Sequence, residues 1–256
     1  MPLLQPDEPP AFEVVNADAA SRWVLTCDHA SARLPVALGD LGVSASERER
    51  HIAWDLGIAG VARHLAPLLD GVLILAGYSR LAIDLNRPLS SPQSMVTVSE
   101  YTAIPGNHGL TTADAAARAE ALFHPYHERI RAELDRRQSA GRATVLVSLH
   151  SFTPVFKGER RSVHTGMLYN RDPRLGRAMI DVLRADPGLV VGDNQPYAVN
   201  DDSDYTVVVH GERRGLLHVE IEVRQDLIAD ATGQAAWAAR LASALEQAHA
   251  RVVSAP

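Results

Sequence analysis

Cysteine is nearly absent. Cys27 stands alone in 256 residues, which excludes an internal disulfide and any CxxC metal site. Long apolar runs are missing too: none approaches the roughly 20 residues a membrane span requires, so no membrane partner is expected. No basic run or stripe stands out, and 25 basic against 31 acidic side chains leave a formal charge of −6, so nucleic acid is not an expected partner. No Gly/Ser- or Pro-rich linker divides the chain. One domain over 19–256 is therefore expected, behind an N-terminal extension over 1–18. The stretch Met1–Asn16 is proline-rich and acidic, without a basic region followed by an apolar one. It reads as no signal peptide, and a cytoplasmic location is the corresponding expectation.

What the chain does contain is 11 histidines, several of them at the ends of apolar runs. A negative protein that takes an anionic substrate must also concentrate positive charge locally, which makes individual arginines informative.

Short aliphatic runs predict strands at Trp23–Cys27, Val72–Ala76, Thr144–Leu149, His164–Tyr169 and Leu216–Val223. Segments with helical spacing lie between them, the alternation of an α/β fold. Ser46 followed by Glu49 resembles a capping box and predicts a helix to about Leu65. Thr112–Arg137 predicts a helix that Pro125 kinks or splits. Pro173–Ala185, with proline in its first turn, and the amphipathic Gln234–Val253 complete the helices.

Five constellations carry chemistry. His29, in Cys27-Asp28-His29-Ala30-Ser31, follows a strand, and open α/β sheets bind ligands beyond the carboxyl ends of their strands. His150, in Leu149-His150-Ser151, ends another apolar run. Each reads either as a metal ligand or as a hydrogen-bonded structural histidine. In His218-Val219-Glu220-Ile221-Glu222-Val223-Arg224, alternation puts His218, Glu220, Glu222 and Arg224 on one face of a strand. That face is either solvated or functional, because buried carboxylates need a partner. Between Tyr78 and Pro88, an extended chain would align Arg80, Ala82, Asp84 and Asn86. Arginine's planar fork suits a carboxylate, so Asn86 and Arg87 are candidates to clamp an acidic substrate, and Arg80 to polarise a carbonyl. Salt bridging through Asp84 is the alternative. Asp55, placed on the inward face of the predicted helix, needs either a metal or a hydrogen-bond donor.

These blocks, with Gly166–Asp172, Gly192–Tyr197 and Glu222–Leu227, resemble the N-formylglutamate amidohydrolase family from about residue 20 to 230. The resemblance implies a carboxypeptidase-like α/β fold with a mixed central sheet and helices on both faces. It also implies hydrolysis of N-formyl-L-glutamate to formate and L-glutamate, the end of one route of histidine breakdown. In related deacylases an arginine followed shortly by Asn-Arg binds the scissile carbonyl and a substrate carboxylate; Arg80, Asn86 and Arg87 are similar in type and order. The carboxypeptidase-type glutamate three residues after the first histidine is missing, since position 32 is alanine. The expected ligands of one Zn²⁺, or another divalent ion, are therefore His29, His150 and Asp55, with Asp28 as the other candidate for the third. Glu222 is the expected general base, with Glu220 competing for the role. Asn194 and Tyr197 are candidate pocket residues, and His127 and His210 candidate supporting ones. The alternatives are a zinc amidase or deacylase for another N-acyl amino acid or a peptidoglycan stem, and a non-catalytic binder of an acidic metabolite.

Overall fold

The computed structural model describes residues 2–254, so the outermost residues of the two expected ranges, 1 and 255–256, lie outside it. Counting only the strands of the main sheet, they are β1 (Phe12–Val15), β2 (Trp23–Cys27), β3 (Val72–Ala76), β4 (Val145–Phe152), β5 (Thr165–Leu168), β6 (Val191–Asp193) and β7 (Leu217–Arg224). The helices are α1 (Ala45–Arg48), α2 (Ile58–Leu68), α3 (Thr112–Arg118), α4 (His124–Ser139), α5 (Arg174–Leu183) and α6 (Ala231–Ser254). The sheet has 7 strands in the order β1-β3-β2-β4-β7-β5-β6. β3, β2, β4 and β7 run parallel, β1 is antiparallel to β3, and β5 is antiparallel to β7. It is thus a mixed sheet with helices on both faces. No helix among the described residues is long and apolar enough to cross a membrane.

The parallel strands are buried along almost their whole length because both faces are covered. Trp23, Leu25 and Cys27 of β2 face one way with Val145, Val147 and Leu149 of β4 and Val219, Ile221 and Val223 of β7. There they pack on α2, α5 and α6. The opposite face is two-toned. Val24, Ile74 and Leu146 meet Phe123, Tyr126, Ile130 and Leu134 of the α3–α4 segment. Further along the same face come Thr26, Ser148, His150, Glu220 and Glu222, all buried and all polar. The site begins there.

One helical expectation requires correction. The segment from Ser46 to Leu65 is not one helix. A single turn, α1, is capped by Ser44, whose Oγ accepts from Glu47 N at 3.3 Å, and α2 starts only after Gly57. Between them the backbone is claimed by neighbours: Ala53 O accepts from Ser79 Oγ (2.7 Å) and Arg80 N (3.2 Å), and Asp55 N donates to His29 O (3.0 Å). Those groups are unavailable to a helical ladder. Gly57 has φ +79°, and a Cβ there would lie 2.2 Å from Ile228 O, so the chain turns closely past that carbonyl. Asp55 therefore sits on a loop and not on a helix face. The segment from Thr112 breaks ahead of Pro125, through a wide π-type turn at Ala119–Phe123. Pro125 then occupies the first turn of α4, where its missing N–H costs nothing.

The chain from Arg80 to Asn86 is also not extended; it passes through turns gathered by Asp84, whose Oδ1 accepts from Asn86 N at 2.9 Å. β4 runs on to Phe152, so His150 lies within the strand and not beyond it. Arg137 ties α4 to the turn before β2: within the helix its Nε donates to Glu133 Oε1 at 2.7 Å, and its Nη1 donates to Ser21 O at 2.6 Å.

Candidate active site

Strand register assembles the centre. β4 and β7 are parallel neighbours with His150 opposite Glu222 and Ser148 opposite Glu220, so these side chains project from one face side by side. His29 follows the end of β2, and the backbone bond from Asp55 N to His29 O brings the Asp55 loop beside it. His29, Asp55 and His150 each present a donor atom within 4.8 Å of the others, and all three are buried.

The orientation of the rings is specific. His29 Nδ1 lies 3.4 Å and His150 Nδ1 3.0 Å from the same oxygen, Asp55 Oδ2. The far nitrogens are held by other carboxylates. His29 Nε2 donates to Asp84 Oδ1 at 2.7 Å, and His150 Nε2 lies 3.2 Å from Asp28 Oδ2 and 3.0 Å from Ser148 Oγ. A carboxylate behind each Nε2 keeps the proton there and turns the Nδ1 lone pair inward. Asp28 is thus behind His150, where Tyr126 Oη donates to it at 2.7 Å. Asp55 is the carboxylate in front.

Three lone-pair donors facing one another repel unless a positive charge lies between them. Burial opposes charge on both rings, yet Asp84 and Asp55 raise the pKa of His29, and Glu220, Asp28 and Asp55 raise that of His150 well above its usual value. Burial also opposes charge on Asp28, but His150, His29 and Tyr126 hold its carboxyl down at about 2. Two imidazoles and one carboxylate are the donor set of a zinc or similar divalent site, so the residues fit a metal.

The remaining polar groups border a cleft of about 530 Å³. Glu222 lines it, and its Oε2 is buried without a hydrogen-bond partner among the described residues. Burial raises its pKa well above the carboxylate range, and Asp55 and Glu220 push the same way. Glu220 differs: Asn86 Nδ2 donates to its Oε2 at 3.2 Å, and burial lifts it to about 7. Arg80 lays Nε (3.0 Å) and Nη2 (2.5 Å) on Asp84 Oδ2 and keeps Nη1 toward the cleft, 3.5 Å from Asp55 Oδ1.

Asn86 and Arg87 reach the cleft in different states. The Asn86 amide is largely engaged, since its Oδ1 also accepts from Tyr205 N (3.0 Å) and Thr206 N (2.9 Å). It steadies Glu220 and the 205–206 backbone, and the second N–H of its amide has no partner among the described residues. Arg87 makes all its contacts through Nη1, to Ser203 O, Asn86 O and Asp204. Tyr197 lines the cleft, whereas Asn194 does not. Asn194 sits at φ +49°, and its Oδ1 accepts from Tyr169 N at 2.9 Å, which makes it a turn residue rather than a pocket one. His127 and His210 lie deeper, hydrogen-bonded to each other at 3.0 Å away from the cleft. The outer wall contains residues the sequence did not single out: Glu100, Phe156 and Lys157. They come from turns and short ribbons, where no hydrophobic period marks them.

A buried His-Asp-His group, a carboxylate with no fixed partner and an arginine fork over one cleft define a hydrolase of amide bonds. A family model described as N-formylglutamate amidohydrolase matches residues 21–229. The chain belongs to the N-formylglutamate amidohydrolase family. A solved gene product of Agrobacterium tumefaciens is 40% identical, with TM-score 0.96 over 98% of this chain and 100% of that one. An N-formylglutamate amidohydrolase from Ralstonia eutropha is 19% identical, with TM-score 0.64 over 94% of this chain and 98% of that one, and so shares the fold. Comparison with curated sequences gives no match.

Proposed function

We propose that the protein hydrolyses N-formyl-L-glutamate to formate and L-glutamate, with one zinc ion held by His29, Asp55 and His150. The observation that carries this reading is the convergence of those three donors beside the unpartnered carboxylate of Glu222. Bound there, the ion would supply Lewis acidity to a carbonyl oxygen and to water, whose pKa falls from roughly 15.7 towards about 7 at such sites.

The chain's own groups account for the proton and charge movements. Glu222, raised by burial, takes a proton from the attacking water as its oxygen bonds to the formyl carbon. It then delivers that proton to the amine nitrogen as the C–N bond breaks. Arg80 Nη1 faces the same space and donates to the oxyanion that develops, an effect on the order of 3 kcal/mol for one aimed donor. Arg87 has its Nε–Nη2 edge available for the α-carboxylate of the substrate, because its own contacts run through Nη1. That contact orients the amide without joining the bond changes.

The test pairs metal analysis with a substrate panel. The purified protein should carry about one zinc per chain and prefer N-formyl- over N-acetyl- and N-succinyl-glutamate. Glu222→Gln should keep its zinc and lose about 100-fold or more in kcat. A metal-free protein inactive with added zinc, or full turnover by the zinc-loaded variant, would refute the reading.

A further inference from the structure

The cleft is lined largely by polar side chains. Of the apolar ones among the described residues, only Ile52 and Phe152 are buried, each 2% exposed. Neither belongs to the apolar clusters that build the core. A buried phenylalanine ordinarily stabilises a core through the area it covers there. Phe152 borders the reaction space instead.

Strand register fixes where it stands. Alternation on β4 puts Ser148, His150 and Phe152 on one face, opposite Glu220, Glu222 and Arg224 of β7. At a rise of about 3.3 Å per residue, Phe152 follows His150 by roughly 7 Å, on the side away from Glu220. Its neighbour in the row, Arg224, takes no part in the cleft: Nε donates to Asp226 Oδ1 at 2.8 Å and Nη1 to Arg161 O at 3.1 Å. The aromatic ring is therefore what this end of the row presents to a ligand.

The substrate has a direction along the same row. In the proposed function the α-carboxylate meets Arg87, next to Asn86, whose Nδ2 donates to Glu220 Oε2. The amine side of the amide then lies toward the Glu220 end, with the carbonyl carbon beside His150 and Glu222. The acyl substituent is bonded to the other side of that carbon and points toward Phe152. We infer that Phe152 is a specificity-determining residue that closes the acyl subsite, admitting the hydrogen of a formyl group and opposing longer alkyl chains. The inference rests on the proposed function. A side chain carried by a strand inside the sheet has little room to retreat, so each added carbon meets a packed wall.

The experiment compares kcat/KM for the N-formyl, N-acetyl and N-propionyl derivatives of L-glutamate in zinc-loaded wild type, Phe152→Leu and Phe152→Ala. One methylene in an apolar pocket is worth about 10- to 200-fold in discrimination. The formyl-to-acetyl ratio should fall by about tenfold or more in Phe152→Ala. In Phe152→Leu, which carries the test if alanine prevents folding, it should fall by about threefold or more. Unchanged ratios overturn the assignment, and so does an equal fall on all three amides. A wild type that prefers acetyl refutes the formyl reading alone; a shift of the variants toward propionyl then supports the role of Phe152, and an unmoved optimum overturns it. If the wild type cleaves none of the three, the proposed reaction fails, and calorimetric titration with the same amides reads the subsite. A gain of about tenfold or more for acetyl relative to formyl in Phe152→Ala supports it; equal relative affinities, or no binding, overturn it.

Discussion

Replacing His210 by glutamine perturbs a pair of histidines that the fold keeps neutral. His127 Nε2 donates to Leu85 O at 2.8 Å, so its Nδ1 must accept, and the donor 3.0 Å away is His210 Nε2. That leaves His210 Nδ1 bare, buried and without a partner among the described residues. A further proton has nowhere favourable to go. Burial lowers His127 from 6.5 to about 4 and His210 from 6.5 to about 3, the neighbouring His127 adding to the second shift. Because both folded values lie below the unfolded one, their contribution is complete above about pH 6.5 and lost as pH falls through the folded values. At pH 4.5 the unfolded chain has gained two units of protonation free energy per histidine, at roughly 1.4 kcal/mol per unit, or about 3 kcal/mol each. Glutamine keeps a donor for His127 and does not titrate. The drop in unfolding free energy between pH 7 and pH 4.5, measured by urea titration at equal metal content, should be smaller in His210→Gln than in wild type by about 3 kcal/mol. Parallel curves for the two proteins would refute the assignment of a neutral, proton-averse pair.

Two further substitutions probe the same structure. Asp28→Asn removes the charge behind His150 Nε2 while keeping the volume, and should weaken zinc binding by about 10- to 100-fold in a chelator competition; unchanged affinity would exclude that role for Asp28. Gly166→Ala places a Cβ 1.8 Å from Gln195 O, a backbone atom that cannot swing away, and should cost about 2 kcal/mol or more in thermal or urea unfolding. A melting temperature equal to the wild type's would contradict that close approach.

The fold was legible where burial imposes a period. β2 and β3 are buried at every position and read as apolar runs, and α5 and α6 read from their amphipathic stripes. His29 and His150 stood out because each ends an apolar run, and the alternation in β7 put Glu220 and Glu222 on one face. What failed to show depends on tertiary hydrogen bonds. Nothing local says that Ala53 O will serve Ser79 and Arg80, so the segment carrying Asp55 reads as helix. Nor does composition reveal that Asn86 will hold Glu220 and the 205–206 backbone. The cleft's outer wall, with Glu100, Phe156 and Lys157, stands on turns whose geometry is set by contacts far apart in the chain.

The pairing of β7 with β4 makes correct strand alignment and chemistry a single event. Val219, Ile221 and Val223 pack on the helices, while the two glutamates meet Ser148 and His150. A slip of one residue would exchange these sets at once, sending valine and isoleucine to the reaction centre and carboxylates into the helix layer. Turnover per molecule therefore falls with any fraction of chains that pair these two strands one residue out of step.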